Sequence, residues 1–227
     1  MYTLHIANKN YSSWSMRPWV LMTELGIEFE EEIHVWGDTV SWDDYLKLTP
    51  TGLVPSLQVG DELIWDSLAI VEFLAERHPG VWPEDAQARN WSRCVSAEMH
   101  SGFSALRNIC GMNCGLTIEL NSIPEELTKD IKRIDALWQE GLERFGGPYL
   151  GGKLYSAVDA FYAPVVSRFK SYDIEVSNTS MAYMKHMLAT QSLMRWYDEA
   201  LNEPFREYHH EEEISQWGHV ISDDRKA

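Results

Sequence analysis

The chain has 227 residues, 44% of them hydrophobic and 24% charged, which is enough apolar material for one large or two small domains. Its 19 Lys and Arg against 35 Asp and Glu leave a formal charge of −16, which argues against nucleic acid or an anionic membrane as the main partner. Three cysteines (Cys94, Cys110 and Cys114) make no secreted disulfide framework, and no histidine pair stands beside Cys110 and Cys114 at zinc-site spacing, so no metal is expected.

In chain order, residues 2–7 alternate in the period-2 manner of a strand. Tyr11-Ser12-Ser13-Trp14 then leads into a helix with Trp19, Leu21, Met22 and Leu25 on one face and Gly26 as its stop. A strand that starts at residue 2 leaves no room for a leader peptide, and the longest apolar run, about 160–166, is far short of the ~18 residues that span a bilayer. A cytoplasmic protein is expected. Ile27, Phe29, Ile33 and Val35 read as a second strand broken by Glu30-Glu31-Glu32, and Ser41-Trp42-Asp43-Asp44 as a helix start. Residues 56–59 and 62–65 flank Gly60-Asp61 as a hairpin, and 67–76 form a helix with Leu68, Val71, Leu74 and Ala75 inward.

This β-α-β-α-β-β-α order ends at His78, and Pro79-Gly80-Val81-Trp82-Pro83 begins a linker over 79–85. From 86 to 227 the strand signals fade and an all-α domain is expected. It opens on one long helix over 86–111. A capping box at Ser122-Ile123-Pro124-Glu125 and a second at Ser156-Ala157-Val158-Asp159 start two further helices. Two more cover 181–188 and 192–201. In the acidic tail from Glu203, the His209-His210 run reads as solvated surface; a tail folded over the pocket is the alternative, with no motif to support it.

Three short motifs carry the chemistry. Adjacent hydroxyls at a helix entry, Ser12 and Ser13, with the backbone N–H groups there, suit an anion, though Ser is also a common plain cap. Val54-Pro55, after Thr49-Pro50-Thr51-Gly52-Leu53, enters a strand through a residue without an N–H. Asp66-Ser67 precedes Leu68-Ala69-Ile70 as a helix cap. Each is ordinary alone. Together, in this order within one β/α unit, they resemble the soluble glutathione transferase superfamily. The pattern Ser12-Ser13-x-Ser15-x-Arg17 looks most like its zeta-type and related bacterial branches, and Tyr149-Leu150-Gly151-Gly152 before Ser156–Asp159 extends the likeness to the helical half.

That resemblance implies a thioredoxin-like N-terminal domain that binds glutathione as co-substrate, and an α-helical domain that supplies a pocket for a small electrophile. It further implies a homodimer and a cis Val54-Pro55 bond whose Val54 backbone pairs with the tripeptide. Asp66 and Ser67 would hold the γ-glutamyl end. Ser12 would hold the thiol as thiolate, with Ser13 as the second candidate and Tyr11 as a weaker one. Trp14 stands where zeta-type relatives have cysteine, which removes thiol–disulfide exchange by a protein cysteine. Lys47 is the nearest cation for the glycyl carboxylate, with Trp42 as a neighbour. Arg17 reads either as a structural ion-pair partner or as a substrate contact. Arg93, His100 and Arg107 recur every seven residues; they form a basic wall for an anionic substrate or pair with the acidic N-terminal domain, the reading slightly favoured. Met112 would close the pocket. Beside a transferase, two alternatives stand: a glutathione-dependent cis–trans isomerase of the maleylacetoacetate type, and a non-catalytic adaptor on the same fold.

Overall fold

The computed structural model describes residues 1–35 and 42–226, without the side chains of 42 and 44. Four strands, β1 (Tyr2–Ile6), β2 (Glu30–Ile33), β3 (Ser56–Val59) and β4 (Glu62–Trp65), form one sheet in the order β2-β1-β3-β4. β1 and β2 run parallel, and the other two pairs are antiparallel. Helices α1 (Ser13–Glu24), α2 (Trp42–Leu48) and α3 (Ser67–Ala75) complete the expected β-α-β-α-β-β-α order of a thioredoxin-like domain. Gly60, at φ +60, turns the β3–β4 hairpin. The expected N-cap of α2, Ser41, lies outside the described residues.

The second strand is not where the apolar pattern put it. β2 is the acidic run itself, Glu30-Glu31-Glu32 with Ile33, because it is the sheet's edge, where charge is tolerated and blocks further pairing. Glu31 turns inward and accepts from Lys9 Nζ at 2.7 Å and from the Trp19 indole.

The remaining helices are α4 (Ala86–Ser101), α5 (Ser104–Ile109), α6 (Glu125–Phe145), α7 (Ala157–Ser171), α8 (Asn178–Leu188), α9 (Gln191–Leu201) and α10 (Tyr208–Trp217). The long helix expected over 86–111 breaks at Gly102-Phe103. Gly102 is extended, and Phe103 turns left-handed at φ +56 and buries its ring. Arg107 satisfies the carbonyls this frees, donating Nε to Gly102 O at 2.9 Å and Nη2 to Met99 O and His100 O. At α6 the expected capping box is absent: Pro124 is the N-cap, with no side-chain bond. At α7 the box is present. Asp159 Oδ2 accepts the Ser156 N–H at 3.1 Å, and its Oδ1 accepts the Leu150 N–H at 2.9 Å and the Tyr183 hydroxyl at 3.1 Å.

The C-terminal domain is helical, with one addition that the sequence reading did not contain. β5 (Leu116–Leu120) pairs antiparallel with β6 (Gly218–Asp223) and ties the tail to the domain. A side chain at Gly218 would stand 2.4 Å from Glu119 O, so only glycine lets the strands meet there.

The core runs unbroken through both domains. Its spine is α1, buried on nearly every side between the sheet and α7 and α9; Trp19 meets Trp196 edge-on at 5.2 Å. Lys9, 1% exposed, fastens the same seam. Its ammonium pairs with Glu31 and Glu199, its N–H donates to Glu203 at 2.7 Å, and its carbonyl accepts from the Trp196 indole at 3.0 Å.

Candidate active site

Two cavities meet at the N-terminus of α1. One, of about 400 Å³, lies between Trp14, Val54, Pro55, Asp66 and Ser67. The other, of about 350 Å³, lies over Ser12 and Ser13, walled by Trp14, Arg107, Met112 and Arg168. Trp14, Leu53 and Val54 belong to both. The structure thus brings together most of the residues singled out from the sequence. Lys47 and Arg17 line neither cavity: Lys47 is exposed in the last turn of α2, and Arg17 is buried behind the lining.

Ser12 is the N-cap of α1. Its Oγ accepts the Ser15 N–H at 3.3 Å and donates to Ser15 Oγ at 2.7 Å, which in turn accepts the Ala7 N–H. Ser13 is more buried, and its Oγ accepts from Arg168 Nη2 at 3.3 Å. The main-chain part of the sequence expectation needs correction. The N–H groups of Ser12 and Ser13 are spent on Asn8 O and Tyr11 O, so the two residues offer hydroxyls rather than amides.

Val54-Pro55 is cis, as the resemblance implied. Asp66 caps α3 at φ +75, with Oδ1 accepting the Leu68 N–H at 2.8 Å, and Ser67 starts the helix, fully buried. Beneath them lies Arg17, whose Nη1 is 3.4 Å from Ser67 Oγ and whose Nε has no hydrogen-bond acceptor.

Charge is the unusual property of this place. Among the described residues, Arg17, Arg107 and Arg168 have no ion pair, although the chain as a whole carries −16. Trp14 is sandwiched between two of them, with guanidinium carbons 4.2 Å (Arg17) and 4.6 Å (Arg107) from its ring centre. Burial, aided by the neighbouring arginines, holds Arg17 well below the usual guanidinium range; burial then Arg107 pushes Arg168 down to about 10. Three guanidinium groups without a direct ion pair among the described residues, with Asp66, Glu207 and Glu213 farther off, make a site that favours an anion.

Of the heptad-spaced basic residues, Arg93 pairs with Glu72 of α3 at 3.4 Å, and His100 Nε2 stands 3.4 Å from Asp66 Oδ2. Those two serve the domain seam, and only Arg107 faces the cavity. Burial lowers the His100 pKa, with Asp66 opposing, so the ring is neutral at pH 7. Cys110 and Cys114 are buried thiols, each pushed up to about 12 chiefly by desolvation, and neither is a thiolate.

Sequence reasoning missed Arg168 and named the tail over the pocket only as an unsupported alternative. Arg168 sits in the apolar helix α7, where a lone arginine was itself the available signal, since a buried cation requires a reason. Much of the tail is exposed, His209 included, but one side of it folds back onto the site. Glu207, His210 and Glu213 line the cavity over Ser12. Glu203 accepts the N–H groups of Lys9 and Asn10, and Ile214 is buried. Glu211 accepts the Tyr11 hydroxyl at 2.6 Å and pairs with Arg225. Burial, then that contact, raises the Tyr11 pKa, and the contact turns the Tyr11 proton away from Ser12. Glu207 and His210 share an i, i+3 bond at 2.6 Å, the spacing that could have marked a helix.

Residues 11–77 match the family model described as "Glutathione S-transferase, N-terminal domain". A glutathione S-transferase-like protein, OpS6, of Beauveria bassiana is 28% identical over 168 residues, 71% of this chain and 76% of that protein. Maleylacetoacetate isomerase of Rattus norvegicus is 27% identical over 173 residues, 73% and 78% of the two chains. The crystal structure of a glutathione transferase homolog from Burkholderia with bound glutathione superposes with a TM-score of 0.65 at 20% identity, over 88% of this chain and 97% of that one. Residues 11–77 thus match the glutathione S-transferase N-terminal domain, and the chain as a whole is similar to proteins of that superfamily in its fold and in its Ser-Ser, cis-proline and Asp-Ser positions.

Proposed function

We propose that the protein is a glutathione transferase that binds the tripeptide across the two cavities and hands its sulfur to a small electrophile over Ser12. The γ-glutamyl carboxylate sits at Ser67 with Arg17 beneath it, Asp66 accepts from the α-ammonium, and the Val54 backbone pairs with the cysteinyl unit. The observation that carries the reading is the meeting of the Asp66–Ser67 cavity with the Ser12–Ser13 cavity at Trp14 and Val54, inside a ring of unpaired guanidinium groups.

The chemistry required is modest. A thiol of pKa ~8.5 is only a few per cent ionised at pH 7, and lowering it by two units takes ~2.7 kcal/mol. One hydrogen bond to a charged acceptor contributes ~1.5–3 kcal/mol, so the Ser12 hydroxyl, rotated from Ser15 toward the sulfur, covers much of it. Ser13, polarised by Arg168, adds a second donor. The thiolate attacks the electrophilic carbon and a C–S bond forms; either a leaving group departs with its electron pair, or the π pair of an unsaturated bond passes to the neighbouring carbon, which takes a proton from water.

Arg107 and Arg168 favour substrates that carry a carboxylate, which keeps the cis–trans isomerase reading alive beside the transferase. In that reaction the sulfur adds, a bond rotates, and the sulfur leaves. A cytoplasmic homodimer is part of the same proposal. No described helix is long and apolar enough to cross a membrane.

The test is ultraviolet titration of the thiolate of bound glutathione in the wild type, Ser12→Ala and Ser13→Ala, together with turnover of model electrophiles and a maleyl-type substrate. Ser12→Ala should raise the bound thiol's pKa by about one unit or more and cut turnover at least ~10-fold. Wild-type behaviour in Ser12→Ala would move the role to Ser13. If calorimetry found no glutathione binding at millimolar concentration, a non-catalytic adaptor would replace the enzyme.

A further inference from the structure

Outside the active site, one side-chain cluster has the geometry of a metal centre. β1 and β2 run parallel with His5 opposite Glu32, and the His34 N–H continues the pairing by donating to Ile6 O at 2.8 Å. Alternation along the strands puts His5, Glu32 and His34 on one face of the sheet. Their donor atoms converge: His5 Nδ1 is 3.0 Å from His34 Nε2 and 3.2 Å from Glu32 Oε2, and His34 Nε2 is 3.9 Å from the same oxygen.

We infer that His5, Glu32 and His34 form a binding site for a borderline divalent cation of the Zn2+ type, with solvent completing its coordination. A triangle with these edges has a centre about 2.0 Å from each corner, which is the length of a Zn–N or Zn–O bond. Two imidazoles and one carboxylate suit such an ion better than Mg2+ or Ca2+, which prefer oxygen donors throughout. The histidines are mostly buried and Glu32 is 56% exposed, so the cluster is anchored on two sides and open to water on the third. His34 is braced from behind, its carbonyl accepting the Tyr45 hydroxyl at 3.0 Å and its ring standing edge-on to Tyr45 at 6.4 Å.

The cluster is separate from the glutathione site: none of its three residues lines either active-site cavity. Its consequence is mechanical. Strand β2 is the sheet's edge and carries three consecutive glutamates, and an ion held between β1 and β2 would pin that edge to the centre of the sheet.

The test uses the full-length protein stripped with chelator and titrated with Zn2+ by calorimetry, then with Co2+, whose visible absorption reports low coordination number and nitrogen ligation. One equivalent is expected to bind, to raise the melting temperature, and to be reversed by EDTA. Glu32→Gln, at an exposed position that should fold normally, and His34→Gln should each weaken Co2+ binding by about tenfold or more. His219→Gln, at an exposed histidine beside Glu119, should leave it unchanged. If Co2+ affinity were the same in wild type, Glu32→Gln and His34→Gln, or if binding followed His219, the inference would be wrong.

Discussion

In the proposed function, Arg17 serves the ligand at the expense of the fold. It is 1% exposed, touches the faces of Trp14 and Phe161, and keeps one nitrogen without any acceptor. A buried cation without a counter-charge destabilises a folded chain, whereas an apolar residue of similar volume does not. Arg17→Met should therefore melt at a higher temperature than the wild type when ligand-free. The same change should weaken glutathione binding by about tenfold, since a hydrogen bond to a charged group contributes ~1.5–3 kcal/mol. Differential scanning calorimetry and a glutathione titration on one preparation check both halves. A variant that melts lower and binds equally well would make Arg17 a purely structural residue.

The α7 N-terminus presents a different case, in which the helix rather than a lone residue carries the constraint. Asp159 is buried, and desolvation raises its pKa to about 7 even though two N–H groups and the Tyr183 hydroxyl favour the charged form. A carboxyl whose folded-state pKa lies above its ordinary value of 3.8 binds more protons folded than unfolded. Its contribution to stability is thus complete below about pH 4 and is lost as pH rises through about 7. Urea melts at pH 5 and pH 8 should show the wild type less stable at the higher pH on this account. Asp159→Asn should lower stability at pH 5 by ~1–3 kcal/mol, because the amide leaves the Ser156 N–H unsatisfied, and it should flatten the difference between the two pH values. An unchanged difference would place the pH dependence elsewhere.

The elements that were readable from sequence were those with a local signal: the Ser156–Asp159 box, the Gly60 turn, and the amphipathic α3. Those that were not readable depended on distant partners. Gly102-Phe103 breaks a helix because Arg107, farther along, takes over the freed carbonyls. β5 is a five-residue alternation, Leu116-Thr117-Ile118-Glu119-Leu120, whose partner β6 lies at the far end of the chain. The acidic tail reads as solvent-facing in isolation, yet Glu203, Glu207 and Glu211 are each taken up by an N–H, an imidazole or a hydroxyl that folding brings to them. The candidate site divides in the same way: Ser12, Ser13, Val54, Asp66 and Ser67 are motif residues, whereas Arg168 and His210 arrive by tertiary packing.

Across the whole molecule, the electrostatics set a long-range field against a short-range one. On the proposed function, glutathione, with two carboxylates and one ammonium, would approach a protein of charge −16, so the far field would repel it, while Arg107 and Arg168 in the cavity wall and Arg17 behind it would attract it only at close quarters. The two ranges separate by ionic strength, because the screening length falls from about 30 Å at 0.01 M salt to about 10 Å at 0.1 M. Raising salt across that interval removes most of the repulsion felt during approach but leaves the buried guanidinium contacts nearly intact. The association rate of glutathione, followed by stopped-flow tryptophan fluorescence with Trp14 as the nearest reporter, should therefore rise by about twofold or more between 0.01 and 0.1 M salt. The dissociation rate should change less, since it reflects the contacts and not the approach. An association rate that fell with added salt would mean that the arginine cluster already dominates the field at the cavity mouth, and that the acidic surface has no part in controlling entry.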